Sequence, residues 1–252
     1  MDGVTLLKYV AIMILGFING AIGILVGGIS IITIPALIVI GLPPHIAIAT
    51  NRLGIIGLVA AGFYEFNRQK LINYKIGMII GLMALSGSVV GAYLMLGIDA
   101  TVLKKIIAIF SMALLILLLK DPQRGMHNGG SIIRKRHYVV GSFLSFGLGV
   151  YGGFYGAGVA TFLGYLLVFF FGETFVHSAG TRTIPMLLFS VASAAIFIQH
   201  GIVNYVYAGL LFVSMGAGAY CAARHIKVMG NKWLKRMFIG IGAIMVIMLL
   251  WR

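Results

Sequence analysis

PPHIAIATNRLGII, residues 43–56, opens as a helix opens and stays apolar, yet it holds Arg52 among aliphatic neighbours. Pro44 suits a first helical turn. From there to Glu65 the chain runs about 31 Å at 1.5 Å per residue, enough to cross a hydrocarbon core of about 30 Å, with Arg52 roughly 12 Å inside. The setting is apolar throughout: 252 residues, 61% hydrophobic, with a mean hydropathy of +1.07. Uncharged runs at residues 9–51, 76–98, 138–172 and 183–223 each exceed one span, and the first and last have length for two segments each. This composition predicts an all-α integral membrane protein.

A net charge of +14 would suit nucleic acid, but the basic residues sit in short clusters between apolar runs, a distribution that speaks for membrane orientation. The single Cys221 excludes an internal disulfide, and no Cys/His spacing implies a structural metal or another cofactor. The first apolar run is too long for a signal peptide.

Displaced by 131 residues, the chain matches itself without gaps: Gly16 with Gly147, Gly27 with Gly158, Gly41 with Gly172, Thr50 with Thr181, Asn73-Tyr74 with Asn204-Tyr205, Gly87 with Gly218. Two transmembrane repeats follow, 1–119 and 139–252, joined by a basic linker over 120–138. Each opens with a run of about 35 apolar residues, about 52 Å as one helix, which is too long for a single straight span. Breaks are expected at the glycine-rich 19–28 and 151–158, giving a hairpin or a kinked helix, followed by three helices in each repeat.

If each opening run returns to the side it left, the 64–75 loop, the linker and residues 224–236 collect thirteen Lys and Arg on one side. Lys8, Lys104, Lys105 and Arg252 remain on the other. That bias places the linker in the cytoplasm and both termini outside. A hairpin plus three crossings is odd, so the second repeat is expected upside down relative to the first. Inverted-topology repeats point to a transporter.

Arg182, in GTRTIPML, recurs at nearly the depth of Arg52. The chain has only five acidic residues, Asp2, Glu65, Asp99, Asp121 and Glu173, all at expected helix ends or loops. An intramembrane cation costs roughly 2.5 to 3.5 kcal/mol on insertion scales, so each guanidinium needs a partner. A substrate oxyanion held by bidentate hydrogen bonds is one reading. Snorkelling to the interface, or capping carbonyls at a helix break, is the other. Thr50, Asn51, Thr181 and Thr183 flank the arginines as donors, with bonding of Thr to an upstream carbonyl as their alternative role. Asn19, Gly27, Gly158 and Tyr155 lie at the glycine breaks, where helix ends offer an anion site. His45 and His177, near the entrances of the arginine helices, are candidates for proton coupling. The remaining glycines are read as packing positions.

The stretch GLPPHIAIATN (41–51), its weaker echo GETFVHSAGTR (172–182) and the glycine-broken first helix resemble the sulfite exporter TauE/SafE family of membrane permeases over essentially the whole chain. The resemblance implies export of sulfur-containing oxyanions such as sulfite or organosulfonates across a prokaryotic plasma membrane, by a multi-pass protein with a small oxyanion and the lipid bilayer as its partners. It also implies that residues 49–51 and 180–182 line the site. A passive anion channel and an intramembrane enzyme acting on lipid-linked phosphate are the rival readings. The enzyme lacks a mid-depth carboxylate or a Ser-His pair to serve as base or nucleophile.

Overall fold

A computed structural model of the chain describes residues 3–27, 30–97 and 135–250. Ten helices lie among them: α1 Gly3–Leu25, α2 Ser30–Ile40, α3 Pro44–Arg68, α4 Tyr74–Met95, α5 Lys135–Phe154, α6 Val159–Phe171, α7 Phe175–Thr181, α8 Thr183–Gln199, α9 Tyr205–Arg224 and α10 Ile226–Leu250. Among the described residues there is no strand, and five stretches are long and apolar enough to cross a membrane. The expected last helix of the first repeat and most of the linker, residues 98–134, lie outside the described residues.

Both opening runs divide where the glycines stand, into a long helix and a short one. α1 has 23 residues, about 34 Å, and α2 has 11, about 16 Å; α5 has 20 and α6 has 13. α1 is long and apolar enough to be a candidate span in its own right, whereas α2 is not.

The second arginine helix lies in one candidate span, Phe175–Gln199, with a local break. It is divided at Arg182 into α7 and α8. Pro185 has no N–H to give the Thr181 carbonyl four residues back, so the ladder lapses there and resumes with Met186 N–H donating to the Arg182 carbonyl at 3.1 Å.

The helix starts follow from local chemistry. Pro44 occupies the first turn of α3 behind Pro43. Asn73 and Asn204 cap α4 and α9, their Oδ1 atoms accepting the Ile76 and Tyr207 N–H groups at 3.3 and 3.2 Å. Thr174 caps α7 through His177 N–H at 3.2 Å.

Contacts between helices fix their sense. On α5, Ser145 Oγ donates to the Ile80 carbonyl of α4 at 2.7 Å, Gly149 lies on Ala84 and Gly153 on Ser88, so α4 and α5 run the same way. Gly77 meets Ile184 and Gly81 meets Leu188, which aligns α8 with α4. On the other side Gly16 meets Ser214 and Gly218 meets Phe17 and Ala21, aligning α1 with α9. Gly54 meets Leu211, Gly57 meets Phe212, and Gln69 Nε2 donates to the Ala223 carbonyl at 2.9 Å, aligning α3 with α9. Tight turns at 69–73 and 200–204 reverse the chain between the two sets. Thus α1, α3 and α9 point one way and α4, α5 and α8 the other, and the chain returns between α1 and α3, and between α5 and α8.

These helix pairs approach backbone to backbone because their contact rows are glycine, alanine and serine. Gly87 lies on the Phe146 carbonyl and Gly218, 131 residues later, on the Phe17 carbonyl, and neither leaves room for a Cβ. In lipid, where apolar association between helices has no hydrophobic drive, such close packing supplies the cohesion. Large apolar side chains point outward instead, among them Leu7, Val39, Phe143 and Val213.

Charge gathers at one end of the bundle. Arg68, Lys70, Lys75, Arg136, Arg224 and Lys227 lie there, where Lys227 Nζ donates to the Gln69 carbonyl at 3.0 Å and the Lys75 ammonium stands 5.9 Å from the Tyr138 ring centroid. Lys8 belongs to the opposite end and donates to the Ile40 carbonyl at 3.3 Å.

Candidate functional site

A helix that stops inside a bundle leaves carbonyls without partners, each of which is costly away from water. At the end of α1, Gly27 turns the chain at φ +87°; a Cβ there would stand 2.6 Å from Ala160 Cβ and 2.7 Å from the Thr161 nitrogen. The Ile24 carbonyl accepts from Arg182 Nη2 at 2.8 Å and the Val26 carbonyl from Thr161 Oγ1 at 2.9 Å. At the end of α5 the Gly152 carbonyl accepts from Arg52 Nη2 and the Ala157 carbonyl from the Tyr151 hydroxyl. Each half of the chain therefore sends its arginine to the broken helix of the other half, at the negative end of that helix's dipole. This is the carbonyl-capping role named as the alternative above, and it accounts for one nitrogen of each guanidinium.

Both arginines are 1% exposed. The Arg52 guanidinium lies 5.7 Å from the Phe189 ring centroid and that of Arg182 lies 5.3 Å from Phe238, cation–π contacts that offset part of the burial. Neither snorkels. Arg52 Nε and Nη1 and Arg182 Nη1 remain buried without a hydrogen-bond partner.

Between the two halves lies a cavity of about 30 Å³, room for a water or two. Gly27 and Ser30 at the start of α2, and Gly158, Val159 and Ala160 at the start of α6, line it together with Phe189. The positive ends of both short helices thus face one space. Arg52 packs beside it: a Cβ on Gly156, another lining residue, would stand 2.7 Å from Arg52 Nη2, so only glycine admits the guanidinium here. Asn51 Nδ2 donates to Ser30 Oγ at 3.2 Å while its buried Oδ1 has no partner.

The other expected residues separate. Gly27, Gly158, Asn51 and Arg52 are at or beside the cavity. Arg182 lies behind it, against Gly164 and Phe238. Thr50 Oγ1 accepts the Asn204 N–H at 3.0 Å, and Thr181 Oγ1 accepts the Asn73 N–H at 3.1 Å, the same bond 131 residues later. Thr183 Oγ1 donates to the Gly180 carbonyl at 2.6 Å, the upstream-carbonyl role. Asn19 Nδ2 donates to Thr33 Oγ1 and ties α1 to α2. Tyr155 is half-buried, with its ring 6.5 Å from that of Tyr151. His45 is exposed at the start of α3, and His177 is half-buried in α7.

Sequence reasoning did not single out Phe189 and Phe238, Thr161, or the buried state of Glu173. The repeat offset could have found Thr161, because it aligns with Ser30 across the two breaks. Glu173 stands between α6 and α7 as expected of a loop acid, but it is 8% exposed; it accepts from Thr181 Oγ1 at 2.9 Å through Oε1, and burial pushes its carboxyl up to about 8.

The family described as "Sulfite exporter TauE/SafE" matches residues 12–249. The chain is 26% identical over 224 residues to a "Probable membrane transporter protein" of Haemophilus influenzae, covering 89% of this chain and 87% of that one. It is 29% identical to "Probable membrane transporter protein YdhB" of Bacillus subtilis, with 91% and 94% covered. It is also 29% identical to "Probable membrane transporter protein ORF9" of a Sinorhizobium species, with 95% and 91% covered. No solved structure matches the chain.

Proposed function

We propose a transport function from one premise: the chain belongs to the sulfite exporter TauE/SafE family of membrane transporters. Its cargo is a sulfur-containing oxyanion, sulfite or an organosulfonate, carried outward by alternating access between two inverted repeats. The observation that carries this reading is the cavity at which the N-termini of α2 and α6 converge, with Arg52 packed behind its lining residue Gly156 and holding buried N–H groups without a partner. Helix N-termini and guanidinium groups both suit anions, and among the described residues neither finds a carboxylate there.

The inverted arrangement is supported by helix sense. α1 and α3 agree with α9, while α5 and α8 agree with α4, as expected when each opening run returns to the side it left. The cluster of Lys and Arg at one end supports placing that end in the cytoplasm and Lys8 outside. The cavity is too small for the cargo as it stands; an oxyanion enters as the repeats part on one side and leaves as they part on the other. A cell interior negative by about 100 mV favours exit by roughly 2.3 kcal/mol per charge, so outward movement requires no pump.

Flux into proteoliposomes, compared for sulfite, a sulfonate and sulfate, tests the proposal. Saturable sulfite or sulfonate flux with counterflow is the expected result. Linear flux without counterflow identifies a channel, and no flux above empty vesicles refutes the reading.

A further inference from the structure

Thr181 joins two partners at the basic end of the bundle. Its hydroxyl donates to Glu173 Oε1 and accepts the Asn73 backbone N–H. Asn73 ends the turn between α3 and α4, so this hydroxyl is where the second half of the chain holds the first. The neighbouring contact is tight: a Cβ on Gly180 would stand 2.5 Å from the Leu71 carbonyl oxygen. At the far end of the bundle Thr50 holds the Asn204 N–H in the same way. There the position matching Glu173 is Leu42, a buried aliphatic. Among the described residues, the two equivalent contacts therefore differ by a buried carboxyl whose Oε2 has no hydrogen-bond partner.

We propose that Glu173 takes up a proton when the bundle closes at its basic end and releases it when that end opens, making Thr181–Asn73 a one-sided, proton-linked latch. This deepens the transport reading above and, as a gate, rests on it. In the closed form the carboxyl is desolvated and neutral, and the Thr181 bond is retained. Opening admits water and returns the group toward its ordinary value near 4.5 from about 8. The proton leaves to water at the basic end, and the carboxylate no longer favours a buried place beside Thr181. The opening equilibrium rises up to about tenfold per pH unit across that window. Among the described residues, the Thr50–Asn204 contact has no carboxyl beside it.

Other ionisable groups surround Glu173. α7 itself carries His177; α10 carries Lys227, Lys232, Lys235 and Arg236; α6 carries Tyr165. α3 carries Glu65 and Arg68, Lys70 and Lys75 stand in the turn and at the start of α4, and α8 has no ionisable side chain. His177 is the neighbouring imidazole, so it is tested separately.

The test is amide exchange of the full chain in lipid nanodiscs, corrected for the intrinsic chemical rate, with infrared detection of the protonated carboxyl stretch. In the wild type, protection of the Asn73 N–H falls by up to about tenfold per pH unit between about pH 5 and 8, the carboxyl band titrates with it, and Asn204 protection stays level. Glu173→Gln removes the band and levels Asn73, His177→Gln keeps the slope, and Thr181→Val removes Asn73 protection at every pH. A level Asn73 profile in the wild type, a slope that survives Glu173→Gln, or one shared by Asn204 overturns the proposal. If Glu173→Gln does not fold, the wild-type profile and band decide. Sloped protection in a protein without oxyanion flux removes the transport reading and keeps the latch; flux with level protection does the reverse.

Discussion

Arg52 and Arg182 occupy matching places but do not have equal capacity for an anion, and the difference can be measured. Each uses one Nη2 on a helix-end carbonyl. Arg52 then has two buried nitrogens free, Nε and Nη1, one on each side of the committed Nη2 and each able to give a separate hydrogen bond, while Arg182 has only Nη1. A hydrogen bond to a charged group contributes about 1.5 to 3 kcal/mol, and each 1.4 kcal/mol is tenfold in affinity. Arg52→Gln is therefore expected to raise the half-saturating sulfite concentration by roughly 10² to 10⁴ and Arg182→Gln by roughly 10 to 10². Arg52→Lys keeps the charge and loses the fork, so it falls between wild type and Arg52→Gln. The assay is concentration-dependent counterflow in proteoliposomes, with thermal unfolding in detergent to verify that each variant keeps its bundle. Two folded variants with half-saturation within about threefold of wild type, or a larger effect at Arg182, would refute the assignment of free donors to the substrate and leave the arginines as caps alone.

Three further outcomes follow from the geometry. Gly91 lies on the Val150 carbonyl between α4 and α5, so Gly91→Leu is expected to lower stability by about 3 kcal/mol or more by forcing the helices apart; unfolding in detergent against exposed Gly97→Leu as control reads it, and equal stabilities would contradict the packing. The raised Glu173 value means that the folded chain binds the extra proton between about 4.5 and 8, so its stability falls as pH rises through that window, by up to about 1.4 kcal/mol per unit, and levels above it. Glu173→Gln should flatten the curve, and an unchanged slope would assign it to another group. Single cysteines at Lys70 and Val228 in a Cys221→Ser background should label from one compartment and a cysteine at His45 from the other; labelling of all three from one side would dispose of the orientation.

The sequence by itself determined much about this protein because the relevant signals are local or repeated. Uncharged runs longer than a membrane is thick make it a helical membrane protein whatever its partners do. Glycine at 27 and 158 marked the helix breaks, since positive φ is a single-residue property. The displaced match of Thr50 and Asn73 with Thr181 and Asn204 foretold a relation between the halves. Only the tertiary structure decided how those residues are used. No periodicity states that Thr50 would receive the Asn204 N–H and Thr181 the Asn73 N–H, each across the boundary between halves, because hydrogen bonds between residues more than a hundred apart depend on helix sense and register. The same holds for the arginines: their burial was legible from apolar neighbours, but a guanidinium is long, and whether it turns to lipid, to a helix-end carbonyl or to a cavity is set by where the opposing broken helix stops. Glu173 is the sharpest case, a loop acid by position that became a buried carboxyl because Thr181, at the end of α7, comes back to meet it.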